Sequence, residues 1–144
     1  MDALMRFMRI TIKGGLRIFT VMEDIRKCIL LDSIRMLDGS CSIDKLALLM
    51  YIVDKQSGFS VFTWSIEDYF PVSQDFLDTV EELRRGGYVV VDNGKVSVTD
   101  AVFDSSACSN HWLYGRLISY VSDVIGKYKG KDVNELLSEV VEIP

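Results

Sequence analysis

Histidine is nearly absent from this chain: among 144 residues His111 stands alone. A Ser–His or Cys–His catalytic pair needs a base beside its nucleophile, and no Gly-x-Ser-x-Gly surrounds any serine. Glycines form no phosphate loop either, because Gly14-Gly15 reads as a hairpin turn and Gly86-Gly87 as a helix end. Three cysteines, Cys28, Cys41 and Cys108, are too few for the disulfide ladder of a small secreted domain. They favour a reducing, cytoplasmic setting. The longest strongly apolar run, Leu46 to Val53, is far short of the ~20 residues that span a bilayer. No signal-peptide pattern, internal repeat, linker or low-complexity segment is visible.

What is abundant is apolar. Hydrophobic residues make up 49% of the chain, with a mean hydropathy of +0.19, enough for a tight core and an apolar contact surface besides. Charge is uneven. Residues 1–21 hold Arg6, Arg9, Lys13 and Arg17 against Asp2, a net +3, whereas residues 22–144 carry 12 basic and 20 acidic side chains, a net −8. A body of that sign repels nucleic acid at long range.

Residues 6–21 alternate around Gly14-Gly15, with Met8, Ile10 and Ile12 before it and Leu16, Ile18 and Thr20 after it, so the spacing predicts an N-terminal β-hairpin extension over 1–21. A hairpin alone is marginal. It would lie on the domain's own sheet or, the preferred reading, on a second subunit in a homodimer. From residue 22 onward the pattern predicts a helix from Glu23 to Leu37 and a deeply buried second helix from Ser42 or Asp44 to Ser57. A half-buried strand carrying Phe62, Trp64 and Ile66 follows. Ser73 then caps a third helix that Gly86-Gly87 stops. Tyr88 to Thr99, turning at Asn93-Gly94, reads as a second hairpin, and the tail as a long helix to Tyr128 and a shorter one from Val133. Three helices and a β-wing are the order of a winged helix. The expected fold is therefore α+β: a winged-helix core over 22–144 with an N-terminal hairpin and a C-terminal helical pair.

Some of these pieces resemble the YwgA-like proteins and the Panacea-type phage-associated domains. Their Lys-Leu-x-x-Leu-x-Tyr helix is similar to Lys45-Leu46-Ala47-Leu48-Leu49-Met50-Tyr51, and their Tyr-Gly-Pro-x-Ser turn to Tyr69-Phe70-Pro71-Val72-Ser73, with Phe70 in place of glycine. Leu83 to Gly87 and Val98-Thr99 match their helix end and wing end. The resemblance covers about residues 43–144. It implies a winged-helix-like module for protein–protein regulation, antitoxin-like in some members, with no catalytic residues.

Chemistry finds little purchase. Cys28, Cys41, Cys108 and His111 could compose a Cys3His zinc shell, but their spacing is poor and buried cysteines are commonly small hydrophobes; His111 reads as a capping or packing residue. Neither Glu67-Asp68 nor Glu81-Glu82 has surroundings that would separate two carboxylate pKa values. No catalytic, metal or cofactor residue is assigned. The candidate interaction residues are Arg9, Lys13 and Arg17 on the hairpin, Gln74, Asp75, Asp78 and Arg85 on the third helix, and Lys95 on the wing. The expected function is a non-enzymatic regulatory or adaptor module that binds another protein or itself. The alternative is a DNA-binding regulator, which the acidic start of the third helix opposes.

Overall fold

The computed structural model describes residues 13–142. Helix α1 (Lys13–Met36) leads through strand β1 (Ser40–Ser42) into α2 (Ile43–Ser57). A small antiparallel hairpin, β2 (Ser65–Glu67) and β3 (Phe70–Val72), precedes α3 (Gln74–Arg85). A second hairpin follows, β4 (Val89–Asp92) and β5 (Lys95–Val98), then one short helix α4 (Ser106–Ser109), α5 (Trp112–Tyr128) and α6 (Val133–Glu142). The architecture is mixed α+β. Strand β5 lies between β1 and β4 in a three-stranded antiparallel sheet.

Helix α2 is the centre of the core. Ser42 accepts a hydrogen bond from Lys45 N at 3.0 Å and so caps its start. Every residue from Leu46 to Asp54 is buried, because α5 and α6 pack on it. Each fully buried Leu, Ile or Val side chain contributes roughly 1.5–3 kcal/mol. Ser73 caps α3 in the same way, accepting from Phe76 N. Helix α3 closes where Gly87 takes φ +81° and Tyr88 N donates to Leu83 O at 2.9 Å. Asn93 and Gly94, with φ 55° and 77°, make the tight turn of the second hairpin. Among the described residues no helix is long and apolar enough to cross a membrane.

Three expectations are corrected. First, residues 13–21 are helix, not the turn and return strand of a hairpin; residues 1–12, including Arg9, lie outside the described residues. Over residues 13–21 only Leu16 and Ile18 carry the apolar alternation, too short a run to exclude a helix. Extending α1 backwards from its buried positions Ile25 and Ile29 needs no new nucleus, which outweighs the roughly 1 kcal/mol that each glycine costs. Helix α1 runs through position 21 without a break.

Second, Phe62 and Trp64 are not in a strand. Strand β2 begins only at Ser65 and all three of its residues are exposed. Third, Cys28 and Cys108 are joined by a disulfide linking α1 to α4, so Cys28 is more than packing. Two of the four groups of the Cys3His set are thereby bonded to each other. Cys41 is free, and burial pushes its thiol up to about 11.

The disulfide closes a loop of 80 residues. Cys108→Ser is expected to lower unfolding stability by about 2–4 kcal/mol in urea titrations, and intact mass with and without reductant should show the two thiols appearing together.

Candidate protein-binding surface

The segment between α2 and β2 crosses the core without a strand ladder, so its backbone N–H groups need other acceptors. Two carboxylates supply them. Asp54, buried in the last turn of α2, accepts from Val61 N at 2.7 Å, from Phe62 N at 3.1 Å and from the Trp64 indole Nε1 at 2.7 Å. Burial pushes the Asp54 carboxyl up from its ordinary range, while the Trp64, Phe62 and Val61 donors pull it back. Asp75, in the first turn of α3, accepts from Thr63 N at 3.1 Å and from the Ser73 hydroxyl. Arg26 of α1 joins the two sides: its Nε donates to Val61 O at 2.8 Å, and its guanidinium lies 3.3 Å from Asp75 and over the Phe62 ring. Trp64 is thereby fixed edge-on to Tyr51 and against Phe76.

This frame holds up a hairpin with an unusual tip. Asp68 and Tyr69 both have positive φ, 52° and 66°, a conformation that favours glycine or asparagine. Tyr69 is nonetheless 86% exposed and Ile66 53% exposed. Two depressions flank β3. One, of about 620 Å³, is lined by Trp64, Glu67, Val72, Gln74, Asp75 and Asp78 among others. The other, of about 220 Å³, is walled mainly by Ile43, Ala47, Phe70, Pro71, Phe76 and Leu77. Apolar surface in these depressions adjoins an acidic rim, and both depressions abut the N-terminal half of α3.

The candidate residues separate on this map. Gln74 and Asp78 are exposed on the first depression, and Gln74 donates to Asp78 at 2.9 Å. Asp75 lines it too but is committed to the loop. Arg85 stands at the far end of α3, about 16 Å along the helix from Gln74, and pairs with Glu81 at 3.3 Å. Lys95 pairs with Asp92 across the second hairpin and with Ser42 across the sheet. Lys13 and Arg17 belong to α1. Arg85 therefore stands apart from Gln74, Asp75 and Asp78, and Arg9 lies outside the described residues.

The paired acidic residues are also occupied. Glu81 accepts from Arg84, which draws its carboxyl down to about 2, and Glu82 lies 3.3 Å from Lys27. His111 caps α5, its Nδ1 accepting from Leu113 N at 3.2 Å, and stacks on Trp112. The residues that sequence reasoning passed over are Asp54 and Arg26. Asp54 could have been flagged as a charge directly after an unbroken apolar helix run.

No protein-family model matches this chain, and no curated protein does either.

The two neighbouring carboxylates of α3 are expected to differ sharply. Asp75→Ala should cost about 1–3 kcal/mol in chemical denaturation, since it strands Thr63 N and Arg26. Asp78→Ala, on the exposed side, should stay within about 0.5 kcal/mol of the parent.

Proposed function

We propose that this chain is a non-enzymatic regulatory or adaptor module of the winged-helix type that binds another protein through α3 and the β2–β3 hairpin. Three features support the winged-helix reading. Helices α1 to α3 precede the β4–β5 wing, β1 completes the wing's sheet, and residues 43–144 resemble the YwgA-like and Panacea-type families, some of which act as antitoxins.

The observation that carries the binding assignment is Tyr69. An aromatic side chain held in a left-handed backbone at a solvent-exposed tip costs the fold energy and returns no packing to it. The same hairpin borders an apolar depression through Phe70, Pro71 and Val72, and a second one that Glu67 lines together with Asp78. A partner that fits this surface offers an apolar anchor flanked by Lys or Arg. The DNA-binding alternative is disfavoured by the same residues, because Asp78, Glu81 and Glu82 line the helix that would approach phosphate.

Selection of displayed amphipathic peptides on the purified protein should return apolar anchors with basic flanks. Tyr69→Gly should weaken the captured peptides about tenfold while holding or raising the thermal midpoint, because glycine relieves the positive φ. Acidic consensus peptides, or random duplex DNA bound more tightly than the ~10⁻⁴–10⁻⁶ M of ordinary non-specific contact, would contradict the assignment.

A further inference from the structure

We propose that the outer face of α5 is a self-association surface that receives α5 of a second copy of the chain in antiparallel orientation. The proposal does not depend on the α3 surface. Helix α5 buries one face, through Leu117, Val121, Val124, Ile125 and Tyr128. Its opposite face carries Trp112, Gly115, Arg116, Ser119, Tyr120 and Asp123, which line a shallow groove of about 610 Å³.

Three observations on that face point to one occupant. Trp112 is 70% exposed and Tyr120 39% exposed, and such aromatic residues with arginine are the side chains on which interfaces concentrate their energy. Gly115 sits inside the helix, where glycine weakens it, yet a Cβ added there would meet nothing within 4 Å. Its missing side chain leaves room on this face for another backbone to approach.

The third observation is charge. Arg116 and Asp123 lie two helical turns apart on the same flank, and neither forms an ion pair among the described residues. A two-fold axis passing between Ser119 and Tyr120 sets Arg116 opposite Asp123 of the second copy, and the symmetry makes that contact twice. A parallel arrangement would set like charges against each other. Self-complementarity of this kind selects a second copy of the chain, antiparallel, over an unrelated partner.

Sedimentation equilibrium on the full chain tests this. The parent is expected to be a dimer at about 100 μM, a concentration at which even a weak specific pair forms. Arg116→Asp and Asp123→Arg should each weaken association by about a hundredfold or more, because each replaces two attractions with two repulsions. Ser119→Trp, which adds bulk at the pivot and no charge, should do the same. An equimolar mixture of Arg116→Asp with Asp123→Arg chains should recover the dimer, since one then presents two acidic and the other two basic groups at matching positions. A monomeric parent, single variants that associate as the parent does, or a mixture that remains monomeric would each overturn the proposal.

Discussion

A carboxylate at the buried end of α2 governs how the chain leaves its core. Asp54 follows eight buried residues and is itself buried, where an unsatisfied charge would cost several kcal/mol. Its position is tolerable because Val61, Phe62 and Trp64 bring three N–H donors to it. The converse holds as well: a seven-residue segment with no ladder of its own gains acceptors it would otherwise lack. Trp64 is oriented by that bond, and with Phe62 it forms the aromatic cluster against which Phe76 seats the start of α3. This interaction, together with the packing of α3 on α1 and β4, positions α3, β3 and the depressions between them. Asp75 and Arg26 repeat the principle one layer out, where the bonds are more exposed and correspondingly weaker.

The helices were legible because their signals are local. Ser42 and Ser73 as caps, Gly58 and Gly86-Gly87 as stops, and Asn93-Gly94 as a tight turn each act within a few residues. What escaped reading depends on distant partners. Strand β1 is Ser-Cys-Ser, with no apolar alternation, and exists as a strand because Val96 and its neighbours pair with it. The alternation of Phe62, Trp64 and Ile66 was real but had another cause. Two of these side chains point into the core from a loop tied to carboxylates, and the third stands exposed on β2. Residues 13–20 deceived because glycines that read as a turn were absorbed into α1. The candidate surface was half visible. Gln74 and Asp78 are where the acidic face of α3 was expected, whereas Asp75 is a structural acceptor, and the exposure of Tyr69 had no sequence signature beyond its place before Phe70-Pro71.

A common economy links the two surfaces. Each carries residues that the isolated fold does not need: Tyr69 in a backbone region that disfavours it, Gly115 inside a helix, Trp112 largely in solvent. Stability forgone at such positions is the usual mark of a site kept for contact with something else. The surfaces differ in what they ask of a partner. The α3 side combines apolar depressions with an acidic rim, and the partner proposed for it is basic and amphipathic, whereas the α5 side carries both signs of charge and is proposed to pair with a second copy.

Amide hydrogen exchange on the parent and on Asp54→Ala tests the central claim most directly, followed at Val61 N–H, Phe62 N–H and the Trp64 indole N–H. In the parent these three protons should be protected to a degree approaching the amides of α2, despite lying outside any strand ladder. In the variant they should lose that protection together while the amides of α2 and α5 keep theirs. Equal protection of the three protons in both proteins would show that Asp54 is not what holds the loop, and that the placement of α3 rests on something else.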